Sequence, residues 1–189
     1  MAFVVKEPEG ADDYEPAPAG IWPAVCVDVV DLGLVKGFYA GKETIKHKVL
    51  LVWQITETNE RGYRYAVSKR YTASLHPKAT LTADLESWMG RSLTDEEKAG
   101  FDLELLVGWN CQLQVIRKAG QGKDGKARTW VNIRAVVPVA KGQPKLAPLG
   151  YTRRADRKDK TDFPFGANAP AGGDIKDDDI DEHNRSLEE

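Results

Sequence analysis

The sequence predicts a mainly β fold, and three observations carry the prediction. Alternating apolar residues mark five strand-like runs. The one region of helical period falls between the third and fourth runs. Short turns containing glycine join the second run to the third and the fourth to the fifth, as in hairpins. The resulting order, β-β-β-α-β-β, is that of the OB-fold, a small, partly open five-stranded barrel that often holds oligonucleotides. The expectation is an OB-fold barrel with a helical insertion between strands three and four and a disordered acidic tail.

Each element has its own signal. The first strand is read in IWPAVCVDVVDLGLV (21–35), with Val25, Val27 and Val29 on one face and Ala24, Cys26, Asp28 and Val30 on the other. GFYAGKETIKHK (37–48) follows as a loop rich in glycine and lysine. HKVLLVWQITET (47–58) is the second strand, with Val49, Leu51, Trp53 and Ile55 on one face. Asn59–Gly62 form a turn, and YRYAVSKRYTASL (63–75) is the third strand. The period then becomes helical: Leu81, Leu85 and Trp88 share a face, Pro77 suits the helix start and Gly90 its end. Thr94 followed by Glu97 is a capping box for a second helix, which Gly100 weakens and Gly108 closes. WNCQLQVIRK (109–118) and TWVNIRAVVPVA (129–140) are the last two strands, joined by the glycine-rich turn AGQGKDGKAR (119–128).

The 189 residues, 41% hydrophobic and 30% charged, suit one folded domain with tails. No apolar run is long enough to span a bilayer, and residues 1–20 lack the pattern of a signal peptide. Cys26 and Cys111 lie in apolar strand runs, which points to reduced core thiols and a cytoplasmic protein. The net charge of −2 conceals an asymmetry. Residues 161–189 carry nine acids and two bases, and residues 1–17 carry five acids and one base. The remaining body, 18–160, carries 24 bases and 15 acids. A basic body between acidic ends favours polyanionic partners. The predicted organisation is a flexible acidic arm (1–17), an OB-fold nucleic-acid-binding domain (18–142) and a disordered acidic tail (143–189).

Catalytic patterns are weak. His47, His76 and His183 have no metal-ligand spacing, and GQGKDGKA lacks the Gly-Lys-Ser/Thr ending of a phosphate loop. The acidic run 174–182 lacks the glycine and flanking helices of a calcium loop. The expectation is no enzyme, no cofactor and no metal. Nucleic-acid binding has better support, because a single strand needs cations for its phosphates and aromatic faces for its bases. The candidates are Lys48 and Trp53 in the second strand and Arg64, Lys69, Arg70 and Tyr71 in the third. Arg117, Lys118, Arg128 and Trp130 around the last hairpin complete the set, with Lys46, Tyr63, Tyr65, Lys123, Lys126 and Arg134 nearby. Trp53 shares its face with core-like residues, and Trp88 belongs to the core. The face holding Tyr63, Tyr65, Val67, Lys69 and Tyr71 cannot be wholly core, because a buried lysine without a partner is costly.

The runs GIWPAVCVDVVDLGLV, KVLLVWQI, SKRYTASLHPKATLTADLESWMGRSLTDEE and GFDLELLVGWNCQLQV, in that order, resemble phage and prophage single-stranded DNA-binding proteins over about residues 19–140. The resemblance implies an OB-fold, single-stranded DNA as partner in replication or recombination, no catalysis and residence in the host cytoplasm. It supplies no binding residues. The acidic tail is similar to those through which such proteins recruit replication and recombination enzymes. This one ends Arg185-Ser186-Leu187-Glu188-Glu189 rather than in an apolar tip, and its Phe163-Pro164-Phe165 is internal. No membrane partner is expected, and a homo-oligomer is compatible with the sequence. The competing expectation is a protein-interaction module of a replication complex that does not touch DNA directly.

Overall fold

A computed structural model describes residues 15–39, 42–121, 125 and 127–157. The strands are β1 (Gly20–Tyr39), β2 (Lys42–Thr58), β3 (Arg64–Thr72), β4 (Asn110–Gln121) and β5 (Ala127–Val137). Helices α1 (Thr80–Met89) and α2 (Asp95–Ala99) and a 3-10 turn, Leu103–Leu106, lie between β3 and β4. All neighbours in the single five-stranded sheet are antiparallel, in the order β3-β2-β1-β4-β5. The sheet curls enough to bring parts of its edge strands, β3 and β5, within 8 Å between Cα atoms.

The inner face is a dry core. Val49, Leu51, Trp53 and Ile55 of β2 are all buried, as their alternation predicts. Cys111, Leu113 and Val115 of β4 face them, and Leu81, Leu85 and Trp88 of α1 join the same cluster. Burial pushes the Cys26 thiol up to about 12 and raises Cys111 as well, so both stay protonated and unreactive.

β1 departs from simple alternation. Its register slips against β2 between Cys26 and Asp28 and again between Asp31 and Gly33, which leaves Val27 and Leu32 as bulged residues. The first bulge reverses the phase. Cys26 and Val29 face the inner core, while Val25, Val27 and Asp28 turn outward. The expected pairing of Cys26 with Asp28 on one face is therefore corrected. The expected loop 37–48 is corrected too, because Gly37, Phe38 and Tyr39 pair with Thr44, Glu43 and Lys42. β3 ends opposite Lys48, and β4 pairs with β1 only at Gly20–Val25. Among the described residues, the β1–β2 ribbon beyond Gly33 and Lys48 consequently has no third strand beside it.

The helices begin and end for local reasons. α1 starts at Thr80, three residues after Pro77, which lies in the preceding turn. Gly90 at φ 68° ends it, where the left-handed backbone lets Gly90 N–H and Arg91 N–H reach the Ser87 and Glu86 carbonyls. α2 has the full capping box: Thr94 Oγ1 accepts from Glu97 N–H, and the Glu97 carboxylate accepts from Thr94 N–H.

The domain extends past the expected boundary at residue 142. Residues 143–157 form a strap across the outer face of the sheet, with Leu146 and Tyr151 packed against Val25, Val27 and Val52. The strap is held mainly through its backbone. The Asn110 amide exchanges two hydrogen bonds with Leu146 (3.1 and 2.6 Å) and the Gln54 amide two with Leu149 (2.7 and 2.9 Å). Composition alone reads this segment as tail because its few apolar groups are spaced by Pro144, Pro148 and Gly150. Of the expected arm and tail, residues 1–14 and 158–189 lie outside the described residues. Glu15, Pro16 and Ala17 belong to the domain: Ala17 is buried, and Arg117 donates to the Pro16 and Ala17 carbonyls.

Glu97 gives the fold an acid-sensitive contact. Two 2.7 Å bonds from Arg91, followed by the Thr94 N–H, hold its carboxyl down to about 2, against an ordinary value of 4.5. A lowered folded-state pKa stabilises above the unfolded value and loses that contribution as pH falls through the folded value. The expected outcome is a Tm difference between wild type and Glu97→Gln that is constant above about pH 5 and fades to nothing near pH 2. Thermal melts across that range check it.

Candidate nucleic-acid interface

The ten residues singled out by sequence fall into three groups. The first lies inside. Trp53 is 0% exposed, packed against Trp88 at 5.8 Å between ring centroids. Tyr71 is 2% exposed. Neither ring can stack on a base without opening the core. Lys69 shares their face and is accommodated by Asp84 of α1, whose Oδ2 accepts from Lys69 Nζ (2.6 Å) and from the Tyr71 hydroxyl (2.7 Å). Burial, then the adjacent Asp84 charge, raises the Tyr71 hydroxyl well above its usual range. The face is core from Val67 to Tyr71, with the lysine neutralised within it, while Tyr63 at its start is 69% exposed. Asp84 was legible in principle, as a carboxylate on the apolar stripe Leu81–Leu85–Trp88.

The second group anchors chain segments. Arg64 Nη1 donates to the Ala147 carbonyl of the strap at 2.7 Å. Arg117 Nε donates to the Ala17 carbonyl at 2.9 Å. Both cations are engaged by backbone oxygen in the folded chain.

The third group lies on the outer surface. Register sorts the outer face of β1, β2 and β3 into cross-strand rows. The strap covers the rows Val25–Gln54–Ala66 and Asp28–Val52–Ser68. Beyond it come Val30–Leu50–Arg70, where Val30 is buried and Leu50 packs on the patch beneath the strap, then Gly33–Lys48–Thr72, then Val35–Lys46 and Gly37–Thr44. Lys48 Nζ donates to Thr72 Oγ1 at 2.9 Å, which aligns the ammonium across the strands. Arg70 is exposed. Among the described residues these outer rows contain no carboxylate. Asp31 and Glu43 point to the opposite face, where Asp31 pairs with His47 (2.6 Å) and Glu43 with Lys36 (2.9 Å).

Lys118, Arg128 and Trp130 occupy a different place. They lie on the β4–β5 hairpin, where Lys118 is opposite Trp130 and Gly120 opposite Arg128. This hairpin runs past the start of β1, at the other end of the strand direction from the β1–β2 ribbon. A Cβ at Gly120 would stand 3.0 Å from Trp130 Nε1, so the ring packs closely over the glycine. Arg134 has no register partner and forms a bulge in β5. Lys123 and Lys126 lie outside the described residues. Sequence reasoning missed one exposed aromatic, Trp109, 42% exposed and edge-on to Trp88 at 6.2 Å. Its position straight after Gly108, between helix and strand, was the available signal.

No cluster of three or more metal-ligating side chains occurs among the described residues, and no described helix is long and apolar enough to cross a membrane. No protein-family model matches the chain, and no curated protein matches it.

Removing the Asp84 carboxylate strands the Lys69 ammonium and the Tyr71 hydroxyl in a mostly dry site. Asp84→Ala is expected to lower unfolding free energy by about 2–4 kcal/mol. Lys69→Met in the same background is expected to recover part of the loss, because it removes the unpaired charge. Urea unfolding of the three proteins measures both.

Proposed function

We propose that this chain is a sequence-tolerant single-stranded DNA-binding protein built on an OB-type barrel. The strand order β3-β2-β1-β4-β5, with edge strands that approach each other, supports the fold reading. The observation that carries the functional reading is the set of acid-free outer rows, where Arg70, Lys48 and Lys46 follow one another. Rows on a strand repeat every ~6.6–6.8 Å, two residues apart. Cations at that interval suit the phosphates of an extended strand. Their alternation with Leu50 and Val35 leaves apolar surface for base and sugar.

Of the three rings among the ten residues, Trp130, beside Lys118 and Arg128 on the β4–β5 hairpin, is the one outside the core, and it offers a second contact for a longer strand. Basic charge in the body and acidic charge at both ends suit a polyanionic partner. A role in phage-type replication or recombination rests on the resemblance of the strand and helix motifs. The rival is a protein-interaction module, favoured by Leu34 (75% exposed) and Ile45 (60%) on the other face of the β1–β2 ribbon.

Tryptophan fluorescence titration with oligo-dT, oligo-rU and duplex DNA at several salt concentrations tests the proposal. Wild type should be quenched by oligo-dT in preference to duplex. Replacing Lys46, Lys48 and Arg70 by Ala should reduce the log–log salt slope by about 2, at about 0.7 for each phosphate no longer neutralised. Trp53→Phe should leave the oligo-dT affinity unchanged, and Trp130→Phe should reduce quenching only for oligonucleotides long enough to reach the β4–β5 hairpin as well. Absence of binding at low salt would favour the interaction module.

A further inference from the structure

The strap lies on the same outer face as the cationic rows, and its position bears on how much strand that face can hold. Its contacts fix its path. Gln54, Asn110 and Arg64 bind its backbone at Leu149, Leu146 and Ala147, and this leaves the later part, residues 151–154, to be held from elsewhere. At the boundary between covered and open rows stands Asp28, 1% exposed. Its carboxylate accepts from Arg154 N–H (2.7 Å), Arg153 Nε (3.2 Å) and the Tyr151 hydroxyl (3.2 Å). Arg153 Nη2 continues to Glu104 (2.7 and 2.9 Å), which ties the strap to the 3-10 turn before β4. A buried carboxylate with three donors is costly to undo, because each released donor and the charge itself must find another partner.

We propose that the strap is a fixed end wall of the nucleic-acid face and that Asp28 is the residue positioning it. This inference rests on the single-stranded DNA reading. The wall denies a bound strand the rows Asp28–Val52–Ser68 and Val25–Gln54–Ala66. What remains runs from Val30–Leu50–Arg70 to Gly37–Thr44, three steps or about 20 Å. That length suits about four nucleotides, the low end of the ~4–16 held by one such fold. Releasing the end held by Asp28 opens the row Asp28–Val52–Ser68, which carries no cation, while Gln54, Asn110 and Arg64 keep the rest of the strap in place, so the surface lengthens without adding phosphate partners.

The test compares wild type with Asp28→Asn and, separately, Arg153→Ala. Hydrogen exchange at the Arg154 amide reports whether the strap is held. Affinity for oligo-dT of 3 to about 12 nucleotides, at several salt concentrations, reports site length and phosphate neutralisation. The expected result is faster Arg154 exchange, a minimum length for full affinity longer by about one nucleotide, and an unchanged salt slope. Unchanged length with accelerated exchange would overturn the wall. Unchanged exchange in both variants would overturn the role of Asp28. Wild type that binds no oligo-dT would remove the DNA reading and the wall with it, while the exchange measurement still reports on Asp28 as the strap's lock.

Discussion

The extra residue in β1 is the constraint on which the outer half of the molecule depends. Strict alternation from Ala24 would aim Asp28 into the core beside Cys26. A carboxylate there, without donors, would cost several kcal/mol or remain protonated. The bulge at Val27 turns Asp28 outward and returns Val29 to the core. It also stacks Val25, Val27 and Val52 on the outside, an apolar patch that needs a cover. The strap supplies that cover and gives Asp28 its donors. Bulge, patch, buried carboxylate and strap therefore form one arrangement. The second bulge, at Leu32, restores the phase and lets the ribbon continue with Lys46 and Lys48 outward and Leu34 and Ile45 on the opposite face.

Two carboxylates solve the same problem on opposite sides of the sheet. Asp84 brings α1 onto the inner face by neutralising Lys69 and binding Tyr71. Asp28 brings the strap onto the outer face through Arg153, Tyr151 and the Arg154 amide. In each case the element is fixed in place by a carboxylate that cannot easily return to water. Apolar burial gives the elements their attraction, at about 25 cal/mol per Å². The directional bonds to Asp84 and Asp28 fix where they sit.

Much of this fold was legible in the sequence, and the parts that were not share a cause. The period of β2, the capping box at Thr94 and the C-terminal glycine of α1 are local signals, and the structure follows them. The bulges, the long ribbon and the strap depend on partners far away in the chain, such as Leu149 on Gln54. A local reading of 143–157 sees prolines, glycines and charge and concludes tail. The candidate site divided in the same way. Residue type picked out Lys69 and Tyr71, but only the position of Asp84 shows that their neighbourhood is core. Lys48 and Arg70 kept their outward places because their strands alternate without interruption around them.

The division of cations into buried, anchoring and surface groups bears on what the surface is for. Lys69, Arg64, Arg117 and Arg153 are matched to carboxylates or carbonyls within the fold. A cation-rich body could have been levelled by scattering acids evenly over its surface. Instead Asp28 and Asp84 are turned to structural use, and Asp31 and Glu43 face away from the Lys46–Lys48–Arg70 rows. Arg70, Lys48 and Lys46 thereby lie on one face of the sheet and the acids of the same ribbon on the other. The two bulges of β1 set this separation, because each decides which way Asp28 and Asp31 point.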